Sequence, residues 1–166
     1  MKIAVLSMWQ PWASLWLATD DLGRVKVHET RGWPYPPALQ GKRIAVHASQ
    51  TERGYGTMSA ELRDLCDDVF GPHYGLELPR GGVIGSIALR SCERIDYDEP
   101  CIAVTDANYI SGDYTAGRFM WEGTDPVLMR EPIPLKGRQR IFYWDAPDDF
   151  CVTNMIPQSD GLQKER

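Results

Sequence analysis

Cysteine is scarce and badly spaced for metal: Cys66, Cys92, Cys101 and Cys151 form no C-x-x-C pair, and no histidine stands at ligand spacing beside them. A zinc site is therefore not expected, nor any other metal, and free thiols in a reducing compartment fit best. A phosphate-cradling glycine loop and a Ser-His-Asp signature are also missing, and no cofactor is expected. Long apolar runs are lacking too. Residues 1–18 are apolar overall, but Gln10 and Pro11 interrupt them and no clear small-residue cleavage site follows, so the expectation is a cytoplasmic protein with no membrane partner. Finally, there is no excess of positive charge: 18 Lys and Arg against 23 Asp and Glu give a net charge of −5. That balance argues against wrapping long duplex through a global field, which rests on neutralising many phosphates.

What is present is ordinary for a globular domain, with 43% hydrophobic and 25% charged residues in a chain of 166. A chain of this size buries enough apolar surface to fold around one core. One domain over 1–147 is expected, followed by a tail over 148–166 whose last residues lack periodicity. Nothing points to a protein partner. Basic residues cluster at Arg24, Lys26 and Arg31, at Lys42 and Arg43, and at Lys136, Arg138 and Arg140, while acids gather at 96–99 and 145–149. Any nucleic-acid site must be one of these local patches; the alternative is solvated charge on opposite faces.

Patterning predicts many short strands. Lys2 to Leu6 reads as a buried strand, and Pro11 is placed at the first turn of a helix running to about Thr19. Val25 to Arg31 reads as a strand edge carrying Lys26, His28, Glu29 and Arg31, before a turn region at 32–37. Arg43 to His47 predicts another strand, and Leu62, Leu65, Val69 and Phe70 stand near helical spacing in 58–70, closed by Gly71 and Pro72. Gly81 to Ile95 is the longest β-like run, with Gly82 and Gly85 where a strand bends or a neighbour comes close. Phe119 to Met129 and Ile141 to Trp144 complete the set, and 111–118 is a Gly-punctuated loop carrying Asp113, Tyr114 and Arg118. The expected fold class is mainly β with flanking helices (α+β), a β-barrel of about five to seven strands with the first helix across one opening.

Three blocks, LSMWQPWASL at 6–15, GRVKVHETRGW at 23–33 and IAVHAS at 44–49, together resemble the ASCH family. Its signature runs Gly, x, Lys, x, x, Glu, x, Arg, and Lys26, Glu29 and Arg31 keep the spacing from Lys onward, with Gly23 one position early. Gly112-Asp113-Tyr114 with Gly117-Arg118, and 132–137, are similar to the second half of phage and bacterial members. The resemblance implies a PUA-like barrel with a cleft beside the first helix, in which the signature Lys and Glu face RNA, a nucleotide or a nucleoside. The residues it places at that cleft are Gln10, Trp12, Lys26, Glu29, Arg31, Trp33, His47, Ser49, Asp113, Tyr114 and Arg118.

The residue types suit that ligand. Trp9, Trp12 and Trp33 offer flat faces for stacking, Lys26 and Arg31 suit phosphate, and Glu29 can accept from a base edge or orient a water. Each also has a plainer reading: Trp16 as core, Lys26 with Glu29 as a surface ion pair, His47 as a satisfied strand-end residue.

Two functions remain open: a binding module that selects an RNA feature or modified base, and a hydrolase acting on RNA or a modified nucleoside through Lys26 and Glu29. One bacterial branch of the superfamily hydrolyses N4-acetylcytidine with a Lys, a Thr three residues later and a Glu. Here that position is Glu29, and Thr30 would point to the other face of a regular strand. A pure protein-interaction barrel would leave the polar cleft unexplained. Regular alternation would also separate Lys26 from Glu29, so a shared cleft requires a bulge or bend between them.

Overall fold

Strand β1 (Lys2–Met8) is apolar at almost every position because both of its faces are covered. Ala4, Leu6 and Met8 point into the main core, and Ile3 and Val5 into a second cluster on the opposite face. Such a run is what a strand buried on both sides requires. In the computed structural model, which describes residues 1–97, 103 and 105–150, β1 pairs in parallel with β5 (Arg43–Ala48) and antiparallel with β8 (Ile141–Asp145). The remaining members of the sheet are β4 (His28–Arg31), β6 (Gly82–Arg94) and β7 (Phe119–Pro134), giving the order β4-β7-β6-β5-β1-β8. A separate ribbon joins β2 (Thr19–Asp20) and β3 (Gly23–Arg24).

Helix α1 (Trp12–Leu17) lies across the sheet with Ala13, Trp16 and Leu17 in the main core, while Leu15 turns toward α3 (Ala60–Phe70). The α3 helix begins where the Ser59 hydroxyl accepts the Leu62 N–H at 3.1 Å and stops at Gly71, whose φ of 89° favours glycine. Short helical turns α2 (Arg53–Gly56), α4 (Tyr74–Glu77) and α5 (Ala107–Ile110) complete the set. Gly85 sits so close to the Val127 carbonyl and Leu17 that a side chain has no room, and the β6 register shifts at this point.

The α+β class and the strand count stand as expected, but the sheet is not closed into a barrel: β4 and β8 are its two edges. The outer backbone groups of β4 have other partners. Val27 and His28 N–H both donate to Asn108 Oδ1, at 2.6 and 3.0 Å, and the Thr30 carbonyl accepts from Arg118 Nη2 at 3.3 Å. Helix α5 and the loop after it thus take the place of a closing strand. Across the remaining gap the Arg140 guanidinium lies 5.6 Å from the Trp33 ring centre.

Other boundaries moved as well. The strand expected over 25–31 is confined to His28–Arg31, and the expected first helix is one turn shorter. Phe150, in the expected tail, is buried and packs edge-on against Trp144 at 5.3 Å. Cys66 and Cys92 are free thiols; Glu99, Cys101, Cys151 and the tail over 151–166 lie outside the described residues. Among the described residues no helix is long and apolar enough to cross a membrane.

Candidate functional site

The site begins at the bend before β4. Lys26 and Val27 are not in a strand, and Asn108 Oδ1 takes the N–H groups of Val27 and His28 where the strand begins. The bend brings Lys26 to the same side as Glu29, which regular alternation would have prevented. Lys26 Nζ donates to the Ser111 carbonyl at 2.9 Å and lies 3.5 Å from Glu29 Oε2. On the other side, Arg31 Nε stands 2.9 Å from Glu29 Oε1, a close ion pair without hydrogen-bond alignment. Glu29 is therefore a carboxylate held between two cations.

Burial sorts the three. Lys26 has no exposed surface and Glu29 is 7% exposed, whereas Arg31 is half-buried. Loss of hydration pushes the Lys26 pKa below its ordinary value, with Glu29 opposing that shift and Arg31 adding to it. The ammonium lies beneath the site and supports the carboxylate from below.

Above Glu29 opens a cleft of about 720 Å³ bordered by Trp9, Trp12, Thr30, Arg31, Asp113 and Arg118. Trp9 is 44% exposed and Trp12 half-buried, so both offer ring surface to it. The loop after α5 is tied to β4 by Asp113 N–H donating to Thr30 Oγ1 at 2.9 Å. Arg118 Nε reaches the Asp113 carbonyl at 3.1 Å, and two bonds from Thr115 hold the Asp113 carboxylate below its usual pKa.

A second chamber of about 710 Å³ adjoins the first, sharing Ser7, Trp9 and Arg31 with it. Its far side is formed by the basic segment Lys136 to Arg140, and His47 and Ser49 border it.

Of the residues singled out by sequence, Trp12, Glu29, Arg31, Asp113 and Arg118 meet at the first cleft, and His47 and Ser49 at the second. The others stand elsewhere. Lys26 lies under the floor. Gln10 is buried, its amide donating to Ser14 Oγ and the Pro79 carbonyl, both at 2.8 Å, while its oxygen accepts from Ser14 N–H. Trp33 meets Trp121 edge-on at 4.8 Å and belongs to the core margin. Tyr114 is buried and stacks on Tyr109 at 6.1 Å. Trp16 is core, as its plainer reading had it, with its indole N–H on the Val27 carbonyl. Asn108, Ser111 and Ser7 were not foreseen; each acts through a partner more than 39 positions away, and no local pattern marks them.

The fold and the cleft together define an α+β domain, mainly β, with a cleft lined by aromatic and charged residues beside β4. No family model matches the chain, and no curated protein does. Among solved structures, the ASCH protein of Zymomonas mobilis is similar over 85% of this chain and 86% of its own, at 17% identity and a TM-score of 0.47. A serine-to-alanine variant of it covers 85% and 87% at 16% identity and 0.46, and a tyrosine-to-phenylalanine variant 85% and 88% at 16% and 0.45. The family these structures are named for is the one the sequence blocks resemble. A likeness of this degree carries nothing about ligand or chemistry, which rest on the residues of this chain.

Proposed function

We propose that the protein is an RNA- or nucleotide-binding module that takes a base into the first cleft. The observation that carries this reading is Glu29, a nearly buried carboxylate clamped between Lys26 and Arg31 at the base of a cleft walled by Trp9 and Trp12. A carboxylate fixed on two sides is an acceptor with one remaining direction, toward the ligand, and it suits the amino or imino edge of a base. Stacking on an indole contributes about 1–3 kcal/mol per base, without regard to which base. Arg31 and Arg118 at the rim suit phosphate.

Cleavage through Lys26 and Glu29 has weaker support. The Lys26 ammonium is fully covered and meets a ligand only by way of Glu29. Binding without bond breaking is the reading favoured by the geometry.

The test is a titration of Trp fluorescence with nucleoside monophosphates and short single-stranded RNA at several salt concentrations. Glu29→Gln keeps an acceptor and adds a donor, so the expected result is a changed order of base preference by about tenfold, with an unaltered salt slope. An unchanged order of preference would remove Glu29 from base recognition.

A further inference from the structure

Ser7 and His47 are opposite one another on the parallel pair β1 and β5, and Ser7 Oγ lies 2.7 Å from His47 Nδ1. The other ring nitrogen, Nε2, is 2.8 Å from the Leu135 carbonyl. A carbonyl oxygen only accepts, so the imidazole proton is on Nε2; Nδ1 is then the acceptor, and the Ser7 hydroxyl donates to it. His47 is 1% exposed, and burial pushes its pKa below the ordinary 6.5, so the ring is neutral at pH 7. A hydroxyl thus points its proton at an imidazole that a backbone carbonyl orients, which is the arrangement of an activated nucleophile, its base and the group that aligns the base.

Ser7 is half-buried and borders both chambers, at the seam between them. Gly137 covers its other flank so closely that a Cβ there would come within 2.7 Å of Ser7 Oγ and 2.6 Å of His47 Cε1. Beyond it Lys136, Arg138 and Arg140 are exposed, and among the described residues no carboxylate pairs with any of them. Three exposed cations along one wall, Arg138 and Arg140 resting over the Phe142 and Trp33 rings, favour an anion.

We propose that Ser7 and His47 form a nucleophile–base dyad that hydrolyses a carboxylic ester whose anionic end lies on the Lys136 to Arg140 wall. Ser7 Oγ bonds to the ester carbonyl carbon while its proton passes to Nδ1, and the carbonyl π pair moves onto oxygen on the side faced by Arg31. As that pair re-forms the carbonyl, the bond to the leaving oxygen breaks, and the leaving oxygen takes the proton from Nδ1. Water then attacks the acyl carbon, gives a proton to Nδ1, and Ser7 Oγ departs with that proton. The sum is ester plus water to acid plus alcohol, with no further reactant.

The inference does not rest on the nucleotide reading of the first cleft. Wild-type protein is incubated with an alkyl fluorophosphonate and mapped by peptide mass, and turnover of p-nitrophenyl succinate is compared with that of the butyrate. The expected result is a single phosphonyl adduct at Ser7, lost in Ser7→Ala and slowed about a hundredfold in His47→Gln. The succinate is expected to be turned over about tenfold faster in kcat/KM, a preference lost in Arg138→Ala. A Ser7 that stays unmodified in protein with native circular dichroism overturns the proposal, and so does an adduct that persists in Ser7→Ala. Where His47→Gln does not fold, the comparison of wild type with Ser7→Ala, which removes one oxygen, decides alone. Base binding is read separately by fluorescence, so failure of the dyad and failure of the nucleotide reading are distinguishable.

Discussion

Glu29 and Lys26 make opposite demands on stability. Removing the ammonium in Lys26→Met leaves a nearly buried carboxylate with Arg31 as its single cation. Breaking a buried pair on one side costs about 3 kcal/mol, and the remaining contact to Arg31 makes that an upper figure here. Neutralising both, in Lys26→Met with Glu29→Gln, is expected to recover a good part of the loss, as read from urea midpoints of the four proteins in the cycle. Histidine sets the acid limit. Burial pushes the pKa values of both His28 and His47 below 6.5 in the folded chain, so the unfolded chain takes up protons first as pH falls. The stability is present above about pH 6.5 and declines below it, toward the lower folded values. Melting temperature at pH 8 is therefore expected to exceed that at pH 5, and His47→Gln is expected to flatten the difference. At this scale the sequence was legible where chemistry sits in one short block: Glu29 and Arg31 meet as their spacing suggests. It was not legible at Gln10, because whether a polar side chain turns inward depends on a distant partner, here the Pro79 carbonyl, nor at Tyr114, whose ring turns in to stack on Tyr109 only through the fold of the loop between them.

Elements were read more reliably than their ends. β1, β5, β6, β7 and α3 all lie where apolar periodicity put them, because each buries a long stripe and burial fixes the period. The stretch 25–27 failed that rule. Its residues suit a strand, yet Asn108, 81 positions later than Val27, takes the Val27 N–H, and the Val25 N–H goes to the Ala18 carbonyl. Competition by a side chain for backbone donors carries no signature in the stretch that loses them. The start of α3 is a simpler case: Ser59→Ala removes the acceptor for Leu62 N–H and is expected to cost about 1 kcal/mol, measurable as a lower urea midpoint with an unchanged slope. Ser59 also borders the first cleft, so the same variant reports whether order at that helix end matters for ligand affinity.

For the molecule as a whole, the sequence pointed to about five to seven strands around one core but suggested closure, because strand count and alternation are the same for an open sheet and a closed one. Closure depends on whether the last two edges find each other, and here α5 and the loop after it occupy β4, through Asn108 and Arg118, while Arg140 meets Trp33 across the gap. That gap has a kinetic meaning. An exposed cation over an aromatic ring holds with about 0.5–1 kcal/mol, and exposed side chains change rotamer in about picoseconds to nanoseconds, whereas parting two hydrogen-bonded strands belongs to far slower local unfolding. On the proposed binding reading, a ligand entering past Arg140 and Trp33 waits on side-chain rotation and not on the parting of strands. Stopped-flow Trp fluorescence is accordingly expected to give a single exponential whose rate grows linearly with ligand concentration; a plateau would reveal a slow opening step. On that same reading the edge that remains unzipped sets the tempo of exchange, and occupancy of the cleft follows how fast ligands leave more than how long they wait to enter.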